Sequence, residues 1–192
     1  MKKLFFIILI CFMTLDLYAQ NVILKNPELI KIYTKDGESF SLCDDFYKVK
    51  DLLGIPENIK VEAKYTGDKD CYNLETVYYS GIKFSHYKGF NKIIGITILN
   101  NNYSITDLEI MVNKSKINDV LEVYKELQVA RNELNKDESD KIYKTIAFRT
   151  VPYRYGPLYM IYFDFDNETN ECIAIKLICT EEWTLFIMEK NQ

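Results

Sequence analysis

Residues 93–127 read IIGITILNNNYSITDLEIMVNKSKINDVLEVYKEL. The β-branched run at 93–99 and the alternating run at 105–112 predict two strands, and three asparagines at 100–102 predict the turn of a hairpin between them. The residues that follow predict an amphipathic helix, because apolar side chains recur at helical spacing. Those apolar positions are Ile117, Val120, Leu121, Tyr124, Leu127 and Leu134.

The preceding half of the chain repeats this order of elements at an offset of roughly 70 residues. A helix over 43–53 is expected, with Ser41 as its cap and Gly54 at its end. Short strands are then predicted at 60–65, 72–79 and 82–87, and after the second helix at 142–150, 158–165 and 172–179. The pattern predicts an α+β fold of two tandem helix-plus-antiparallel-sheet units, residues 20–112 and 113–192, with the helices packed on one face of a curved sheet.

Two helical segments carry a resemblance to a known repeat. They are VKDLLGIP at 49–56 and KSKINDVLEVY at 114–124. In tandem, each followed by antiparallel strands, they resemble the β-lactamase-inhibitor-protein-like repeat, whose α-β-β unit also occurs in the small lipoprotein of the outer-membrane β-barrel assembly machinery. The second helix departs from that pattern by running on through Lys125, and the lipid-anchor cysteine is absent. The resemblance implies a two-layer fold that binds proteins, and it carries over no binding residue.

The N-terminal residues 1–19 predict a signal peptide. Lys2 and Lys3 precede an apolar run at 4–13, and Ala19 offers a small residue for cleavage. The protein is therefore predicted to be exported, to a periplasm or to the extracellular space. A retained membrane anchor is the alternative, although the apolar run is short for a bilayer span.

Charge and composition bear on the partners and cofactors. Removal of residues 1–19 takes away two lysines and one aspartate, which changes the net charge from −4 to −5. The charges are interspersed and form no basic stripe, which argues against a nucleic-acid partner. No glycine-rich phosphate loop is present, and a single histidine without a CxxC pair argues against a zinc site. No metal or other cofactor is predicted.

Four cysteines follow the signal peptide: Cys43, Cys71, Cys172 and Cys179. An even number in an exported chain permits two disulfides, and the alternative is four buried thiols that pack as small apolar groups. Cys172 and Cys179 share one predicted strand, where they would lie about 23 Å apart, so they are not expected to pair with each other. The connectivity stays open.

The tyrosines offer a candidate binding surface. Tyr153, Tyr155, Tyr159 and Tyr162 cluster with Arg154 near one predicted strand. Tyrosine and arginine are enriched at the energetic centres of protein interfaces, so these five residues predict contact with another protein. The alternative is ordinary strand composition, since tyrosine is a good strand former.

Catalysis has little support in the sequence. His86 is the only histidine and lies in a strand pattern without a nucleophile motif, so a packing role is preferred. Carboxylate pairs occur at Asp44 with Asp45, which helix capping explains, and at Glu181 with Glu182. We therefore expect a non-enzymatic protein-binding module. The alternatives are a secreted hydrolase-like enzyme that uses a carboxylate pair, and a purely structural envelope protein.

Overall fold

The computed structural model describes residues 30–66, 70–105, 110–125, 129–137, 140–149 and 159–179. Two helices lie in these ranges, α1 (Phe46–Leu53) and α2 (Ile117–Val123). The strands, in chain order, are β1 (Ile32–Thr34), β2 (Ser39–Phe40), β3 (Asn58–Thr66), β4 (Asp70–Tyr79), β5 (Ile82–Tyr87), β6 (Gly95–Ile98), β7 (Tyr103–Ile105), β8 (Val129–Lys136), β9 (Ile142–Arg149), β10 (Tyr159–Asp166) and β11 (Cys172–Cys179).

The strands form two antiparallel sheets of unequal size. The large sheet has eight strands in the order β3-β4-β5-β6-β11-β10-β9-β8, and the small sheet has three in the order β2-β1-β7. The predicted fold class of two tandem helix-plus-sheet units was therefore wrong. β6 pairs with β11 from Ile98 opposite Ile175 to Gly95 opposite Ile178, which makes one continuous sheet. This pairing satisfies backbone groups that two separate units would each leave exposed at an edge.

The predicted hairpin across the asparagine turn was also wrong. β6 belongs to the large sheet, whereas β7 pairs with β1 in the small sheet. The turn is held by local hydrogen bonds, since the backbone N–H of Asn102 donates to Oδ1 of Asn100 at 2.9 Å. The N–H of Leu99 donates to the carbonyl of Gly81 at 2.8 Å. The asparagine turn thus redirects the chain from one sheet to the other.

The helices are short and capped by carboxylates. Asp45 is the N-cap of α1 and accepts the N–H of Tyr47 at 2.8 Å, in place of the predicted Ser41. Gly54 ends α1 with a φ of 77°, as its position predicted. At α2, Asp119 accepts the N–H of Lys116 at 2.7 Å. α2 ends well before Leu134, which lies on β8 and is exposed.

One face of the large sheet forms the core. The small sheet covers part of this face, where the rings of Phe40 and Phe84 meet edge to face with centroids 5.2 Å apart. Tyr124, at the end of α2, covers another part and stacks on Phe148 at 4.9 Å. Because strand side chains alternate, the residues between these core positions lie on the opposite face, which we call the outer face.

Candidate functional site

A row of five polar side chains crosses the middle of the outer face. Tyr78 lies opposite Lys83, Lys83 opposite Thr97, Thr97 opposite Lys176, and Lys176 opposite Tyr162. Residues directly opposite each other in an antiparallel sheet project from the same face. We call these five residues the cross-strand row. All five are half-buried, so each combines packed and accessible surface.

Lys83 is the electrostatically unbalanced member of the row. Its ammonium lies 5.8 Å from the centroid of the Tyr78 ring, and within the described part of the chain no carboxylate pairs with it. Burial lowers the pKa of Lys83, and the positive charges of Lys176 and Lys60 lower it further. Two strand spacings separate the backbones of Lys83 and Lys176, roughly 10 Å. An anion placed beside Lys83 would relieve this repulsion.

Lys176, by contrast, is anchored within the protein. Its ammonium lies 2.5 Å from Oδ2 of Asp164, which is the one acidic residue buried among those described. The hydroxyl of Thr145 donates to Oδ1 of Asp164 at 2.8 Å, and the amide of Asn135 donates to Thr145 at 2.9 Å. This chain of bonds fixes Lys176 within the row, because each polar group is held by the next.

The predicted tyrosine cluster is divided by the structure. Tyr153, Arg154 and Tyr155 lie outside the described residues. Tyr159 is fully buried in the core, which removes it from the predicted binding surface. Tyr162 lies on the outer face and its hydroxyl donates to the sulfur of Met160 at 3.3 Å. An odd spacing of three residues along one strand places Tyr159 and Tyr162 on opposite faces.

The single histidine is buried and packs against an aromatic ring. His86 is buried and stacks on Phe46 with centroids 4.2 Å apart. Its Nδ1 lies 3.3 Å from the carbonyls of Tyr87 and Phe90. Its Nε2 lies 3.4 Å from a carboxylate oxygen of Glu75, in a geometry that does not make a hydrogen bond. These contacts supply no nucleophile for catalysis.

Of the two predicted carboxylate pairs, one lies in the described residues and one does not. Asp45 caps α1, and Asp44 accepts the N–H of Ser41 at 2.9 Å, so both are engaged by backbone. Glu181 and Glu182 lie outside the described residues. Within the described ranges no cluster of three metal-ligating side chains is present.

A cavity of about 320 Å³ lies beside the β1–β2 turn. Its charged lining residues, Lys35, Asp36 and Glu38, are exposed, and the end of α1 supplies Leu52 and Leu53. Binding sites for small ligands place a few polar groups at fixed positions in an apolar surround, which exposed turn side chains do not provide. We therefore place the candidate site on the outer face.

The cysteines sit in different environments. Cys172 and Cys179 are buried and Cys43 is half-buried. The backbone of Cys71 pairs with that of Tyr65 in the β3–β4 hairpin.

Neither described helix has the length or apolar composition to cross a bilayer.

No protein-family model matches the chain, and no curated protein matches it. A cysteine-rich secretory protein of Staphylococcus aureus is similar in structure, with a TM-score of 0.44 and 10% identity over 83% of this chain and 48% of that chain. The chain thus spans about half the length of that protein. A likeness at this level supports no conclusion about fold or function, and the resemblance to the inhibitor-protein repeat stays a prediction.

Proposed function

We propose that this chain is an exported, non-enzymatic binding protein that docks another protein on the outer face of its large sheet. The observation that carries the proposal is the cross-strand row, with Lys83 at its unbalanced position. The partner is expected to place an acidic side chain beside Lys83. Complementary charge of this kind speeds encounter and fixes the register of a complex.

The flanking tyrosines support a protein partner over a small anion. Tyr78 and Tyr162 lie at the two ends of the row, across five adjacent strands. Four strand spacings span roughly 19 Å, which is comparable to the width of a protein interface and larger than a small anion. Stiff amphipathic tyrosines at both ends are suited to hold a flat partner surface over the lysines.

Export and the inhibitor-like resemblance belong to the same proposal. The predicted signal peptide at 1–19 would deliver the protein to a periplasm or to the medium, where it would meet its partner. The hydrolase alternative requires two converging carboxylates, and in the described ranges the only buried carboxylate, Asp164, is bonded to Lys176 and Thr145. A binding role accounts for Asp164, Lys176 and Thr145 better than hydrolysis does.

Site-specific photo-cross-linking tests the proposal. A benzoylphenylalanine replaces Thr97, at the centre of the row, in the full chain expressed in the source cells. The same residue at Asn167, in the exposed β10–β11 turn, serves as the control position. We expect one discrete protein adduct from position 97 and none from position 167, in the envelope or extracellular fraction.

The charge dependence of that adduct locates the contact. Lys83→Glu should reduce the adduct by about tenfold or more, because it replaces attraction with repulsion at the docking point. Lys136→Glu is the matched control, since Lys136 is an exposed lysine on edge strand β8. Equal adducts from both positions, or an adduct unaffected by Lys83→Glu, would contradict the proposed face.

A further inference from the structure

Two cysteines distant in sequence are held beside the same dipeptide. The backbone N–H of Cys43 donates to the carbonyl of Ile93 at 2.8 Å, and the N–H of Cys179 donates to the carbonyl of Ile94 at 2.8 Å. The side chains of Cys43 and Cys179 hydrogen-bond to each other. The backbones of Cys43 and Cys179 are therefore held beside consecutive residues, 93 and 94.

The backbone of Cys43 is a second, independent observation. Its φ of 67° lies in the left-handed region, and the other non-glycine residues with positive φ among those described are Asn113, Asp140 and Asn170. Asparagine and aspartate tolerate this conformation, whereas other side chains adopt it at a cost. A cysteine adopts this conformation here because the surrounding structure holds it, and the bond from its N–H to the carbonyl of Ile93 is part of that structure.

The other two cysteines in the described ranges are poorly placed as partners. Cys172 begins the strand that Cys179 ends, about 23 Å away at strand rise, and its thiol donates to the carbonyl of Ala174. Cys71 lies on β4, and β5 and β6 separate that strand from β11. A disulfide needs Cα atoms within about 7 Å of each other, so neither residue competes for Cys179 in the folded protein.

We propose that Cys43 and Cys179 are a modification site that forms a disulfide by exchange with an external disulfide. The thiolate of half-buried Cys43 attacks one sulfur of the external R–S–S–R, which gives a mixed disulfide and releases R–S⁻. The thiolate of buried Cys179 then attacks the sulfur of Cys43 and releases the second R–S⁻. The two protein thiols lose two protons and two electrons, and the external disulfide is reduced to two thiols.

The bond would tie the segment that enters α1 to the end of β11. It closes a loop from residue 43 to residue 179, which contains both helices and most of the strands. The hydrogen bond with Cys43 and burial raise the pKa of the Cys179 thiol. Cys43 is half-buried whereas Cys179 is buried, so Cys43 is the entry point of the oxidant.

The test uses the purified full chain with glutathione disulfide as the oxidant. Digestion without reduction, followed by mass spectrometry, should recover a peptide that links Cys43 to Cys179. The oxidised protein should melt roughly 10 °C above the reduced protein, because the closed loop is long. Cys43→Asn and Cys179→Ser should abolish both the linked peptide and the shift, and Cys172→Ser should retain them.

Cys43→Asn is chosen because asparagine accepts the positive φ and keeps the backbone bond to Ile93. The variant is therefore expected to fold without the thiol. The comparison of reduced with oxidised wild type tests the disulfide without any substitution. Two results would overturn the proposal. One is folded wild type that yields no Cys43–Cys179 peptide under excess glutathione disulfide, and the other is a dominant link that involves Cys71 or Cys172.

Discussion

The ammonium of Lys176 lies 2.5 Å from the buried carboxylate of Asp164, and the two residues come from neighbouring strands β11 and β10. Lys176→Met would leave Asp164 buried with only the hydroxyl of Thr145 as a partner. We expect a loss of about 1–3 kcal/mol in the free energy of unfolding, less than for a fully buried pair because the Lys176 side chain is 31% exposed. Urea unfolding measures it.

Two further variants test whether the unpaired carboxylate of Asp164 causes this loss of stability. Adding Asp164→Asn to Lys176→Met should recover part of the loss, because an amide is less costly to bury than an unpaired carboxylate. Lys136→Met removes an exposed pair with Asp140 and should change the free energy by less than about 0.5 kcal/mol. Equal losses for Lys176→Met and Lys136→Met would show that Asp164 does not depend on Lys176.

Gly81 has no room for a Cβ, whereas Gly37 and the other turn glycines with positive φ do. Its φ is 78°, and a Cβ at this position would lie 1.9 Å from the amide nitrogen of Asn100. Gly37 has a similar φ of 85° with open space around it. Gly37→Ala should cost about 1 kcal/mol from backbone strain alone, and Gly81→Ala about 2–3 kcal/mol because Asn100 must also move.

Adding Asn100→Ala to Gly81→Ala separates strain from crowding. The double variant should be less destabilised than the sum of the two single changes, since the second substitution removes the atoms that clash. Thermal or urea unfolding of the four proteins completes the cycle. Simple additivity would mean that the two turns do not touch in solution.

The β10–β11 turn should confer a pH dependence on stability. The ion pair with Lys141 and hydrogen bonds from Thr169 and Glu168 hold the pKa of Asp166 well below its ordinary value of 3.8. A depressed folded-state pKa stabilises the fold above the unfolded value, and that contribution is lost as the pH falls toward the folded value. The stability difference between wild type and Asp166→Asn should therefore be largest at neutral pH and shrink below about pH 3.8.

Urea midpoints of both proteins across this pH range supply the measurement. Asparagine keeps an acceptor oxygen for the amides of Glu168 and Thr169 but cannot pair with Lys141. Glu168→Gln is a suitable control, since it removes an exposed charge from the same turn. A constant difference between wild type and Asp166→Asn at all pH values would show that the Lys141 pair does not stabilise the fold.

Cys172 should resist alkylation while the protein is folded. Burial raises the pKa of its thiol to about 12, and the thiolate is the reactive form. Iodoacetamide near pH 8 should label Cys172 at least about a hundredfold more slowly in the native protein than in urea. Peptide mass spectrometry follows the label. Comparable rates in the two states would mean that this end of β11 opens readily.

Local signals in the sequence predicted several elements correctly. The run that ends in Gly54 and Pro56 predicted the end of α1, and alternating segments predicted β4 and β5 within a few residues. Leu134 shows where local signals fail. Its segment has a helical spacing of apolar residues, but pairing with β9 holds it in a strand. Tertiary contacts override weak propensity of this kind.

The candidate site could be predicted only in part. Lone lysines in the apolar strands IKFSHY and CIAIKLIC mark the outer face, and the spacing of Tyr159 and Tyr162 shows that they face opposite ways. The cross-strand row depends on the pairing of β6 with β11. More than seventy residues of the chain separate these two strands. No local pattern encodes that register, because it follows from how the whole core packs.

The position of β11 has a consequence for how the chain reaches this fold during synthesis. β11 is the last described strand in chain order, yet it lies in the interior of the large sheet between β6 and β10. Until it emerges from the ribosome, β6 and β10 each present an unpaired edge. Such non-local pairing is slow to form, and open edges attract other chains. A chain that stays unfolded until β11 has been synthesised does not present these open edges.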